Sequence, residues 1–133
     1  AMRRVIYASS YIESGLGQAF VANNLNGIQA EGGQWTGQNI YIKGVAIFRE
    51  NKTKLCRSFA YYDKWQDCTD HVRYILTNNT GKAALIPVDP NDSDYFAKQY
   101  LLLWGGIPYA NQTPSEINVT KLAYEKAKSV ITS

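Results

Sequence analysis

The sequence predicts an α+β domain that is mostly helical, with one inserted β-hairpin. Apolar residues recur at helical spacing ahead of Gly15 and again in the second half of the chain. A strand-like run over residues 40–60 folds back on itself around Glu50-Asn51-Lys52-Thr53. Capping residues, Gly and Pro punctuate the rest into separate helices.

Taken in order, Val5, Ile6, Ala8 and Ile12 give the first helix an apolar stripe over residues 3–14, and Gly15 and Gly17 supply residues on which helices end. Residues 15–39, rich in Gly, Asn and Gln, read as a long loop over a site. In the hairpin, Val45, Ile47 and Arg49 are expected to alternate against Leu55, Arg57 and Phe59. Asp63 as N-cap with Gln66 three residues later predicts the second helix. Trp65, Cys68, Val72 and Ile75 form its inner face, and Asn78-Asn79-Thr80-Gly81 ends it. Asp92-Ser93 caps a third helix that reaches about Trp104, and Thr113-Pro114-Ser115-Glu116 opens a fourth that runs nearly to the end. Repeats and low-complexity tracts are not part of the pattern.

A chain of 133 residues and 14.9 kDa is one domain, 1–133, with room for one real core. With 45% apolar and 19% charged residues the composition is that of a folded globular protein, and no run approaches the ~18 apolar residues of a membrane span. The net charge of +3 and pI near 8.8 suit an anionic polymer without choosing among such polymers. Ala1 before Met2 reads as an expression scar, and Met2-Arg3-Arg4 leads straight into the first helix, so no secretory signal is expected.

One histidine and two cysteines are too few for a four-ligand zinc site, and no metal or cofactor is expected. A Cys56–Cys68 disulfide is the expected state, which would imply an oxidising compartment; two buried free thiols are the alternative.

The chemistry centres on Tyr11-Ile12-Glu13-Ser14-Gly15-Leu16-Gly17 and its neighbour Asn23-Asn24-Leu25-Asn26-Gly27-Ile28-Gln29-Ala30. Glu13 falls in the last turn of the first helix, where the negative end of the macrodipole disfavours a carboxylate by roughly 0.3–1 kcal/mol. Apolar neighbours push the same way, because burial disfavours the charged form. A glutamate that stays protonated near neutral pH is what a general acid needs.

These two stretches, with Trp35-Thr36-Gly37, Phe59-Ala60-Tyr61-Tyr62, Asp70-His71 and Gly106-Ile107-Pro108-Tyr109-Ala110 in that order, resemble the glucosaminidase family of peptidoglycan hydrolases, glycoside hydrolase family 73. The family typically reads Leu-Glu-Ser-Gly-Trp-Gly and then Asn-Leu-Phe-Gly-Ile-Lys-Ala. This chain departs from it at Leu16, where Trp is frequent, and at Asn26, where Phe is usual.

The resemblance implies a lysozyme-like helical body with the β-hairpin forming a cleft, and cleavage of the glycan strand after N-acetylglucosamine. Glu13 matches the catalytic acid and Tyr109 a tyrosine beside it. Trp35 is a candidate for stacking on a sugar ring. Asn24 and Gln29 are candidates for holding N-acetyl groups, with structural turn roles as the alternative. His71 reads as a packed residue and Asp70 as structural. Glycosidases usually use two carboxylates, and family members often carry a second glutamate in the hairpin. Here that strand reads Val45-Ala46-Ile47-Phe48-Arg49, so Glu50 in the turn is the nearest candidate, with Glu31 and Asp63 more distant.

The rival readings are an N-acetylmuramidase or lytic transglycosylase, and a non-catalytic glycan-binding module. A nucleic-acid binder ranks last, because no recognition motif of that kind is present. A compact wall-cutting domain without a signal or a wall-anchoring repeat also resembles the toxins injected through type VI secretion. That resemblance implies action in the periplasm or cell wall and a cognate immunity protein that plugs the cleft over Glu13. A trimmed secreted autolysin and a phage enzyme are the alternatives.

Overall fold

Helix α1 (Met2–Ser14) buries Val5, Ile6 and Ala8 on one side and stops at Gly15, whose φ of 59° and ψ of 40° are left-handed. The Gly15 amide bonds back to the carbonyls of Ser10 and Tyr11, which closes the last turn. The computed structural model describes residues 1–15, 23–29, 44–49, 56–78 and 80–132. Within them β1 (Gly44–Arg49) and β2 (Cys56–Tyr61) form an antiparallel pair. There follow α2 (Trp65–Asn78), a short α3 (Thr80–Ala83), α4 (Ser93–Leu103), a 3-10 turn over Tyr109–Asn111, and α5 (Pro114–Val130). The architecture is the expected one, a helical body with one inserted hairpin.

The cap chemistry read from the sequence is present at two of these helices. Asp92 accepts a 3.0 Å bond from the Tyr95 amide at the start of α4. At α5, Thr113 accepts from the Glu116 amide while the Glu116 carboxylate accepts from the Thr113 amide, a capping box with Pro114 in the first position. Helix α2 differs. It opens at Trp65, two residues after Asp63, and Asp63 instead offers its carbonyl to Asn23. Its buried stripe is Cys68, Val72, Ile75 and Leu76, whereas Trp65, expected on that face, is 48% exposed one turn beyond the stripe.

The hairpin register also differs by one residue from the expected one. Val45, Ile47 and Arg49 stand opposite Ala60, Ser58 and Cys56. A shift of one residue moves every cross-strand partner, and a period-two pattern alone does not fix which residues face each other.

Helix α5 packs against both α1 and α4, and α1 also against α2. The core between them includes Val5, Tyr62, Val72, Phe96 and Tyr124. Buried Arg4 ties the two ends of the chain. Its Nε donates to the Ile131 carbonyl at 2.7 Å, and its Nη1 to the Pro90 carbonyl and to Asn91 Oδ1. Tyr124 Oη donates to the same Pro90 carbonyl at 2.8 Å.

The expected Cys56–Cys68 disulfide is not formed: Cys68 is a free, fully buried thiol. Its Sγ donates toward Asn24 Oδ1 at 3.7 Å and Asn26 Oδ1 at 3.6 Å, and Asn24 also binds the Ala60 carbonyl. Cys68 therefore sits at the Ala60 end of β2, while Cys56 begins that strand opposite Arg49. Four residues of strand span about 13 Å, too far for a bridge that needs α-carbons within about 7 Å. Burial pushes the thiol pKa up to about 11, so Cys68 behaves as a small packed donor and says nothing about compartment. Alkylation mapping is expected to leave Cys68 unlabelled in the native protein and to label it in denaturant without prior reduction. Labelling that required reduction would contradict the free thiol.

Candidate active site

Glu13 stands at the exposed end of α1, and two other segments converge on its carboxyl. The first is residues 23–29, a turn whose conformation needs left-handed backbone at Asn23 (φ 56°) and Gly27 (φ 65°). Asparagine and glycine are the residues that adopt it readily. Gly27 also faces Glu13. A Cβ built there would stand 3.4 Å from Glu13 Cδ and 3.5 Å from Oε2, ordinary van der Waals contact, so position 27 looks onto the carboxyl.

Three asparagines seat this turn. Asn23 Nδ2 donates to the carbonyls of Tyr62 and Asp63. Asn24 Nδ2 donates to the Ile28 carbonyl at 2.8 Å and the Ala60 carbonyl at 3.0 Å, and its Oδ1 accepts from the Ile28 amide. Asn26 Nδ2 donates to Ser9 Oγ at 3.0 Å. The Ala60 amide bonds the Ile28 carbonyl, and Gln29 forms an antiparallel bridge with Phe59, so the turn continues the edge of β2. The two sequence stretches read as halves of one device thus meet at Gly27 and Glu13, and Asn26 ties the turn to Ser9 one turn earlier in α1.

The second segment is α4. Tyr100, only 4% exposed, donates from Oη to Glu13 Oε1 at 2.9 Å and lies 3.5 Å from Ser9 Oγ. Its ring is held between Phe96 and Trp104, with centroids 5.4 and 6.0 Å away. Among the described residues Oε1 takes this bond and Oε2 faces Gly27.

Surrounding protein atoms raise the Glu13 pKa above the usual glutamate value through partial desolvation, and the Tyr100 hydrogen bond, which favours the charged form, pulls the other way. Solvent still reaches the residue, so the carboxyl is crowded but open. That combination suits a group that must hold a proton and then pass it on.

The other candidates lie as follows. Tyr109 is 53% exposed, and its hydroxyl accepts from Gln99 Nε2 on α4; the tyrosine hydroxyl that meets Glu13 is that of Tyr100. Asn24 is buried with its amide engaged inside the fold. Gln29 is half-buried beside β2. His71 is buried with its Nδ1 2.7 Å from Tyr62 Oη, as a packed residue, and Asp70 pairs with Arg73 on the exposed face of α2. Trp35, Glu31 and Glu50 lie outside the described residues. Among the described residues no group of three or more His, Cys, Asp or Glu could hold a metal ion.

Sequence reasoning missed Tyr100, Ser9 and the inward role of Asn26. A signal existed: Ser9 falls on the inward stripe of α1, and Asn26 stands where an apolar residue is usual. Buried polar side chains must find partners, so two of them on separate segments are candidates to meet.

Because the Glu13 pKa is higher in the folded chain than in the unfolded one, its contribution to stability is fully present below the unfolded pKa. It is lost as pH rises through the folded pKa. The melting temperature of Glu13→Gln relative to the unsubstituted protein is therefore expected to rise between about pH 4 and about pH 8. The effect is small because solvent screens the group. A difference that fell with pH would contradict the raised pKa.

No protein-family model matches the chain, and no curated protein does. Among solved structures the chain is similar to a peptidoglycan hydrolase mutant from Sphingomonas sp. A1, with 21% identity over 93% of this chain and 83% of that one and a TM-score of 0.54. Likeness at this level of identity speaks to architecture. The chain shares the mostly helical α+β fold of that protein, and in this chain Glu13 stands at the end of the first helix.

Proposed function

We propose that the protein is a peptidoglycan hydrolase that cuts the glycan strand after N-acetylglucosamine, with Glu13 as the general acid. The observation that carries this is the carboxyl of Glu13: faced by Gly27, bonded on one oxygen by Tyr100, and with its pKa raised by desolvation. Support comes from the fold, shared with a protein named for peptidoglycan hydrolysis, and from a net charge of +3 that suits an anionic wall polymer. The corresponding place of action is the periplasm or cell wall.

In this reading Glu13 passes its proton to the glycosidic oxygen as the bond to the anomeric carbon breaks, and that oxygen keeps the bonding electrons. The positive charge left on the sugar is met by its own 2-acetamido oxygen, the substrate-assisted route known among glycosidases. Water then attacks the anomeric carbon and returns a proton to the Glu13 carboxylate. In the same reading Tyr109, which is exposed and accepts from Gln99, holds the sugar.

Digestion of purified peptidoglycan, with the new ends identified by mass spectrometry, tests the specificity. Reducing N-acetylglucosamine is the expected product. Reducing muramic acid would mean a muramidase, an anhydro end a transglycosylase, and no product a binding module. Glu13→Gln preserves shape and removes the proton, so lysis is expected to fall by at least about 100-fold; unchanged lysis would remove the assignment.

Glu50→Gln separates the substrate-assisted route from one in which Glu50 activates water. A loss under about tenfold is expected, against about 100-fold or more for a general base.

A further inference from the structure

The hydrogen bonds that end at Glu13 run in one direction. Cys68 has one proton and directs it toward Asn26 Oδ1 at 3.6 Å and Asn24 Oδ1 at 3.7 Å, so the Asn26 amide turns its oxygen to the thiol. Asn26 Nδ2 must then donate, and it reaches Ser9 Oγ at 3.0 Å. With its oxygen accepting there, Ser9 has its own proton left for Tyr100 Oη, at a long 3.5 Å. Tyr100 in turn donates to Glu13 Oε1 at 2.9 Å, the shortest link of the series. The residues come from α2, the 23–29 turn, α1 and α4, and Cys68, Asn26, Ser9 and Tyr100 are all buried.

We propose that Tyr100 is a positioning residue for Glu13: it ends a one-way chain of donors from Cys68 through Asn26 and Ser9, and its hold on Oε1 assigns the transferable proton to Oε2. The role rests on the reading of Glu13 as a general acid.

Two further features agree with it. A carboxylic acid whose Oε1 accepts a strong hydrogen bond carries its proton on the other oxygen, and Oε2 is the one lying against Gly27, where the absence of a side chain leaves room. The Tyr100 ring is clamped by Phe96 and Trp104, so the hydroxyl cannot swing away without disturbing an aromatic stack. Consecutive donors pointing the same way polarise one another, so the last bond is strengthened by those behind it.

The decisive variant is Tyr100→Phe, which retains the ring and its stacking and removes only the hydroxyl. Titration of the Glu13 carboxyl carbon by NMR is expected to show a higher pKa than in the unsubstituted protein, because a bond that favoured the charged form is gone. On peptidoglycan, kcat is expected to fall roughly tenfold with KM nearly unchanged, and the basic limb of the pH–rate profile to move up. A Glu13 titration and a pH profile that coincide with those of the unsubstituted protein, with only the melting temperature lowered, would reduce Tyr100 to a packing residue and overturn the proposal. Ser9→Ala, expected to shift the Glu13 titration in the same direction by a smaller amount, decides the matter if Tyr100→Phe does not fold. The titration needs no substrate. An unsubstituted protein that leaves peptidoglycan intact would therefore defeat the functional reading while the hydrogen-bond chain is still judged by NMR.

Discussion

A buried amide must have partners, and at Asn24 that requirement holds the site together. Its side chain is 6% exposed and bonds the Ile28 carbonyl and amide, the Ala60 carbonyl and the Cys68 thiol. One residue thus fixes its own turn, the second strand and helix α2 at once. Leaving a buried polar group without its partner costs about 1–3 kcal/mol, so each of these elements is held in place by the penalty for moving. The 23–29 turn is the hinge between hairpin and helical body. Its other two asparagines extend the same logic to Tyr62 and Asp63 on one side and to Ser9 on the other.

The carboxyl of Glu13 depends on that arrangement. Helix α1 ends where Gly15 turns left-handed, which leaves Glu13 in the last turn, and the turn then brings Gly27 against it. Desolvation there disfavours the charged carboxylate, and the result is a group with a raised pKa on an otherwise ordinary scaffold. Keeping a crowded carboxyl at neutral pH opposes folding, a common tension between stability and activity. The Tyr100 bond relieves part of it while fixing the carboxyl in place.

Helix α4 links this site to the far side of the body through stacked rings. Tyr124 packs on Phe96 at 4.7 Å, Phe96 on Tyr100 at 5.4 Å and Tyr100 on Trp104 at 6.0 Å. At one end of the series Tyr124 bonds the Pro90 carbonyl that Arg4 also holds; Tyr100, further along, bonds Glu13. The clasp that ties the chain ends and the residue that holds the acid therefore belong to one packed unit. Aromatic pairs of this kind contribute about 0.5–1.5 kcal/mol each beyond their buried area, enough to make the position of Tyr100 rigid.

What the sequence by itself determined was local: the helix that ends at Gly15, the caps at Asp92 and Thr113, the presence of a hairpin, and the place of Glu13 in the last turn of the first helix. Each follows from the backbone preferences of one residue or from the periodicity of a short segment, and neither depends on distant partners. Only the tertiary structure decided the register of the hairpin, the free state of Cys68, the exposure of Trp65 and the choice of Tyr100 as the tyrosine that bonds Glu13. Residues 13 and 100 are far apart in the chain, and no local pattern on α4 distinguishes a core tyrosine from one whose hydroxyl reaches another helix. Cys56 and Cys68 are close in sequence, yet a strand carries them apart. Spacing along a chain limits distance only from above, and the direction each segment takes is set by what it packs against.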